Sequence, residues 1–175
     1  MIDDRVTLSK SVRPHTEGPC SLEMTMKRVL FFAFAAAVAH ASSAVAAEGL
    51  IEVKSPYPVA ETLNRMEAGA KQRGLKVFAR IDHSAGAASV GKTLRPTELL
   101  IFGNPQGGTP FMECAQSIGI ELPLKALAWQ DEQGQVWIGY NDPGYIAKRH
   151  RVESCAAAGP IAKALASLVA EAVAR

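Results

Sequence analysis

The stretch "LKALAWQDEQGQVWIGY", Leu124 to Tyr140, decides the fold. Two apolar-rich runs, Leu124–Gln130 and Gln135–Tyr140, flank the turn-forming residues Asp131-Glu132-Gln133-Gly134, which is the pattern of a β-hairpin. A hairpin pairs its strands antiparallel, so the sheet that grows from it starts antiparallel.

Working back from the hairpin, "TELLIFG", Thr97 to Gly103, reads as a third strand, set off by Pro96. Asn104-Pro105 followed by Gly107-Gly108 predicts a turn, and Thr109-Pro110 an N-cap and first position for a short helix from Phe111 to about Ile118. Before Pro96, Val77, Ala79 and Ile81 alternate as one face of a strand, after which Ser84 is a cap for a helical turn through Ala85-Gly86-Ala87-Ala88. Farther back, Ile51 and Val53 alternate with Glu52 and Lys54 as a half-buried strand that Ser55, Pro56 and Pro58 end. Val59, Leu63, Met66 and Ala70 recur at helical spacing, and Gly74 suits the C-terminal cap.

Working forward, Asp142-Pro143 can start a short helix that carries Tyr145, Ile146 and the basic run Lys148-Arg149-His150-Arg151. Ile161, Leu165, Leu168 and Ala172 give a last helix its apolar face, with Gly159-Pro160 at its start or at a kink. The order is strand, helix, four strands with short helical insertions, and a final helix. Helices kept apart from a run of sequential strands imply an α+β domain on an antiparallel sheet.

The segments "VKSPY" (53–57), "IDHSAGAASVG" (81–91), "LRPTELLIFGNPQGGTP" (94–110) and "LPLKALAWQDEQGQVWIGYNDPGYIAKRH" (122–150) resemble the bacterial domain of unknown function 302 family. The similarity runs from about Leu50 to the last helix. It implies a fold similar to the TATA-binding-protein-like class, often dimeric, and brings no activity, substrate or cofactor. Pro58 stands where relatives tend to place a capping residue.

The N-terminal quarter reads differently. "MKRVLFFAFAAAVAHASSAVAAEGL" joins Lys27 and Arg28 to an apolar run from Val29 to Ala39 and then to small residues around Ala44-Val45-Ala46. This is the pattern of a signal peptide over 26–46, with an uncleaved anchor as the alternative. Residues 1–25, which precede the basic segment and include Cys20, have no apolar core and read as a mis-called, non-native extension. The expected organisation is therefore extension, signal peptide and one α+β domain over 47–175. That domain is expected in the periplasm or secreted, without stable membrane insertion once the signal is removed.

Composition narrows the function classes. With 48% hydrophobic and 21% charged residues the chain is globular rather than disordered. From Glu48 onward 14 Lys and Arg stand against 13 Asp and Glu, too even a balance for a nucleic-acid-binding face. Two cysteines remain past the leader, Cys114 and Cys155, without metal-ligand spacing. In an oxidising compartment they read as a disulfide, the alternative being two separated thiols.

Candidate site residues gather at strand ends and loops: Asp82 and His83, Asn104 and Thr109, Lys125, Tyr140 and Asp142, and His150. His83 is the candidate general base, but adjacent strand residues point to opposite faces, so Asp142 is a better partner for it than Asp82. His83 and His150 are the candidate metal ligands, with Asp82 or Asp142 completing a set. Gly103 to Thr109 lacks the lysine of a phosphate-binding loop and reads as a turn. Trp129 and Trp137 share the hairpin and fit a core or dimer patch. No cofactor is indicated. The leading expectation is a non-catalytic ligand- or partner-binding domain, acting as a homodimer on a small ligand. The alternatives are a metal-binding protein and a small hydrolase or isomerase with His83 as base.

Overall fold

The computed structural model describes residues 47–175, so the expected extension and signal peptide lie outside the described residues. Five strands, β1 (Leu50–Ser55), β2 (Lys76–Asp82), β3 (Thr97–Gly103), β4 (Leu124–Gln130) and β5 (Val136–Asn141), form one sheet in the order β1-β5-β4-β3-β2. Every neighbouring pair is antiparallel, with the β4–β5 hairpin next to the β1 edge. The helices are α1 (Val59–Gln72), α2 (His83–Ser89), α3 (Pro105–Cys114), α4 (Pro143–Arg149) and α5 (Ala158–Val173), with a 3₁₀ turn at Gln116–Ile120. The α+β class and the antiparallel sheet are as expected from sequence.

The two long helices cover one face of the sheet. Leu63, Met66 and Ala70 of α1 and Leu165, Leu168 and Val169 of α5 pack on Leu100, Phe102, Ala126, Ala128 and Ile138. Each large apolar side chain removed from water there stabilises the fold by about 1.5–3 kcal/mol before entropy is counted. The buried hydroxyls of Ser55 and Thr62 satisfy each other at 2.6 Å. Helix α1 starts at Pro58 without a side-chain cap, and it ends where Gly74, at φ +71°, lets the Leu75 amide turn back to the Ala70 carbonyl.

The opposite face carries Leu99, Ile101, Leu127, Trp129 and Trp137, all partly exposed. A Cβ on Gly139 would stand 3.0 Å from the Trp129 ring, so the glycine gives the indole its bed. Lys54 lies 5.3 Å over Trp137 on the same face. A second apolar cluster, Phe111, Ile118, Ile146, Ala147, Cys155 and Ala158, closes one end of the molecule.

Three local readings are corrected. Val77, Ala79 and Ile81 do not share a face: the register shifts between Val77 and Ala79, so Val77 opposes Phe102 while Ala79 opposes Ile101. The extra residue of the bulge, Phe78, is left 49% exposed. Helix α3 begins at Pro105 rather than after Thr109, because the Asn104 side chain accepts from the Gly107 amide at 2.8 Å. Pro110 then falls inside the helix, and the expected run to Ile118 breaks at Ala115 into the 3₁₀ turn. The cap of α2 is Asp82, not Ser84, whose hydroxyl instead donates to Asp82 and accepts from the Thr97 amide.

Candidate functional site

The β3 strand ends at Gly103, and α3 leaves it immediately, because Asn104 caps the helix while Gly107 and Gly108 put no side chain into its first turn. The backbone comes back through the cis Leu122–Pro123 bond into β4. Between this excursion and α5 lies a cavity of about 700 Å³. Its walls are apolar: Leu75 and the bulged Phe78 from the β2 side, Phe102 below, Met112 and Leu122 from the excursion, and Ile161, Ala164, Leu165 and Leu168 from α5. The size is that of a pocket for a small organic molecule.

The polar groups at this cavity are few, and two of them, Arg73 and Asn104, are already occupied. Arg73 donates to the Ala164 carbonyl at 3.0 Å and to Ser167 Oγ at 2.9 Å, and it pairs with Glu171. Asn104 Oδ1 holds the Gly107 amide. Gln106 and Thr109 complete the polar lining on the exposed first turns of α3. Recognition in such a space falls to apolar contact and shape.

The register decides which of the other candidates can meet. Asp82 opposes Glu98, Thr97 opposes Trp129, and Gln130 opposes Val136, so Asp82 and His83 sit at the turn end of the hairpin. Leu50 opposes Asn141, and Lys76 opposes Gly103, so Asn104, Lys125 and Asp142 sit at the other end. Strands β2 and β5 are also separated by two others, about 14 Å across the sheet. The expected partnership of His83 with Asp142, and the metal set of His83, Asp82, Asp142 and His150, therefore do not assemble. Among the described residues no group of three or more His, Cys, Asp and Glu side chains is placed to share an ion.

Each carboxylate has a local task instead. Asp82 accepts from the Ala85 amide at 2.9 Å and from Ser84 Oγ at 2.8 Å, and the Ala85 amide first, then Ser84, holds its carboxyl below the usual range. His83 stands exposed at the first position of α2. Asp142 caps α4 by accepting from the Gly144 amide at 2.9 Å. Lys125 donates to the Glu121 carbonyl at 2.8 Å rather than to a carboxylate. Tyr140 is 4% exposed in the core, where burial, and secondarily Asp142, raise its phenol above the ordinary value.

His150 differs from the rest. Its Nδ1 lies 2.8 Å from Ser117 Oγ, and its Nε2 faces Glu121 Oε1 at 3.6 Å. Ser117 and Glu121 escaped the sequence reading because neither stands in a motif and both lie about thirty residues from the histidine they meet. Phe78 escaped because a bulge leaves no mark in an alternating pattern. The Cys114–Cys155 bond forms, with Cα atoms 6.0 Å apart, and ties the end of α3 to the loop after α4.

The model of the domain of unknown function DUF302 matches residues 51–172. The chain belongs to the DUF302 family. An uncharacterized conserved DUF302 protein from Bacillus stearothermophilus, known by its crystal structure, superposes with a TM-score of 0.64 at 23% identity, covering 72% of this chain and 99% of that one. At that identity the likeness concerns the fold alone. Over 102 residues the chain is 53% identical to the fluoride-specific ion channel FluC 1 of Brucella suis biovar 1 (strain 1330), which is 58% of this chain and 40% of that protein. The same identity and length hold for FluC 1 of Brucella abortus biovar 1 (strain 9-941), covering 38% of it. The DUF302 chain thus spans about two fifths of the length of these relatives. No helix among its described residues is long and apolar enough to cross a membrane.

Proposed function

We propose that this DUF302 protein is an exported binding domain, non-catalytic at its cavity, whose ligand is a small, largely apolar molecule held between α3 and α5. The observation that carries this reading is the cavity of about 700 Å³, with apolar walls and with Arg73 and Asn104 bound to their own neighbours. Nothing in its lining is arranged as nucleophile, base and carboxylate, so the cavity binds rather than reacts. The Cys114–Cys155 bond and the leader-like segment 26–46 support action in the periplasm or outside the cell.

A partner is proposed as well, a second copy of this chain on the sheet face that no described helix covers, supported by the partly exposed apolar row of Leu99, Leu127, Trp129 and Trp137. The fluoride-channel relatives, in which a stretch 53% identical to this chain over 102 residues belongs to a longer protein, support a domain that works beside other polypeptide.

Titration with an apolar, environment-sensitive fluorophore tests the cavity. Binding to the purified protein is expected, and Ala164→Trp, which sets an indole at the cavity wall, is expected to weaken it at least tenfold. Leu127→Glu, on the other face, leaves dye binding unchanged and shifts the light-scattering mass from dimer to monomer. Dye binding that ignores Ala164→Trp would refute the cavity as the site.

A further inference from the structure

The Ser117–His150–Glu121 cluster has no part in the cavity lining, yet its components are a hydroxyl, an imidazole and a carboxylate in contact order. The His150 side chain is only 10% exposed, and its Nε2 is buried without a hydrogen-bond partner. Buried polar atoms left unpaired are rare enough to require a reason. When the Ser117 hydroxyl donates to Nδ1, the ring proton resides on Nε2 and points toward Glu121 Oε1 at 3.6 Å. Glu121, itself 9% exposed, is anchored in turn by Arg149 at 2.8 Å. A hydroxyl bonded to a base, and a base facing an anchored carboxylate, is the arrangement that activates a serine.

Two further observations bear on what could react there. In a 3₁₀ turn residues i and i+3 eclipse, so Ser117 and Ile120 share one face of Gln116–Ile120. Ile120 is 77% exposed, the most exposed large apolar side chain among the described residues, and it sets an apolar platform beside the serine. The disulfide lies just outside both ends of this site: Cys114 stands three residues before Ser117, and Cys155 five residues after His150. It therefore clamps the two segments that carry nucleophile and base.

We infer that Ser117, His150 and Glu121 form an acyl-transfer site that hydrolyses small, accessible carboxylic esters with short apolar acyl groups. Ser117 Oγ bonds to the ester carbonyl carbon while its proton passes to His150 Nδ1. The ester C–O bond then breaks, and the alcohol leaves with that proton. Water attacks the acyl-serine, gives a proton to Nδ1, and the carboxylic acid is released as Ser117 Oγ takes that proton back. Glu121 is a positioning residue that faces Nε2–H and stabilises the imidazolium. The serine meets Nδ1 rather than Nε2, and either ring nitrogen is competent to accept a proton.

The test uses the disulfide-intact protein, a fluorophosphonate probe and p-nitrophenyl acetate. Peptide mass spectrometry is expected to place the adduct on Ser117, and Ser117→Ala to abolish both the adduct and the nitrophenolate burst. His150→Gln is expected to slow hydrolysis by on the order of 100-fold or more. Glu121→Gln, if folded by circular dichroism, is expected to lower kcat with KM unchanged, whereas a purely structural loss would change both. His83→Ala, remote at the turn end of the sheet, leaves labelling unchanged. A folded wild-type protein that gives no Ser117 adduct, or hydrolysis that continues at the same rate in Ser117→Ala, overturns the inference.

Discussion

The Trp137 indole N–H donates to Asp131 Oδ2 at 2.7 Å, while Oδ1 of the same carboxylate accepts from the amides of Gln133 and Gln135. One aspartate thus organises the four-residue turn and ties it to the following strand. The Trp137 bond is the largest cause holding the Asp131 carboxyl below its ordinary value of 3.8, with the Gln135 and Gln133 amides helping and burial opposing.

A pH dependence follows from this relationship. Because the folded value lies below 3.8, the contribution is fully present above that pH and is lost as the pH falls through the folded value. Tryptophan emission is expected to stay level from neutral pH to the ordinary carboxylate range and to change only below it. Asp131→Asn is expected to remove that acid step. An identical step in the variant would assign the change to some other group.

The disulfide makes a stability prediction. Cys114 and Cys155 close a separation of 41 residues, so the paired Cys114→Ser, Cys155→Ser variant is expected to lose about 4 kcal/mol in the chain-entropy model. Urea denaturation of oxidised and reduced protein measures it. A reduced protein as stable as the oxidised one would contradict the assignment of this bond as a main staple of the α3–α4 end.

Arg80 makes another. From the core face of β2 its guanidinium reaches Glu98 Oε2 at 2.7 Å, Asn64 Oδ1 at 2.6 Å and the Ala60 carbonyl at 3.0 Å, joining an edge strand, its neighbour and α1. The side chain is 27% exposed, so solvent weakens but does not cancel these bonds. Arg80→Ala is expected to cost about 1–3 kcal/mol, and Arg80→Lys to restore less than half, since one ammonium cannot reproduce the planar fork. Chemical denaturation midpoints within about 0.5 kcal/mol of wild type for Arg80→Ala would show the network to be idle.

Legibility in the sequence followed the range of the interaction. The β4–β5 hairpin, the apolar stripe of α1 and the capping of α4 by Asp142 were readable because each rests on residues within a few positions of one another. The start of α3 was misread because Asn104-Pro105 and Thr109-Pro110 both have the form of a cap followed by proline, and only the strand end at Gly103 decides between them. Asp82 drew attention as an acid beside a histidine, whereas its carboxylate serves the first turn of α2.

By itself the sequence determined the α+β class, the strand order along the chain and the apolar faces of the long helices, since periodicity and turn chemistry are local properties. Only the tertiary structure decided which polar residues meet. Antiparallel register set His83 and Asp142 at opposite ends of one sheet, while the packing of α4 against the 3₁₀ turn set His150 against Ser117 and Glu121, partners about thirty residues away. The bulge at Phe78 and the space between α3 and α5 likewise arise from how elements pack, because a cavity belongs to several segments at once and to no stretch of sequence alone.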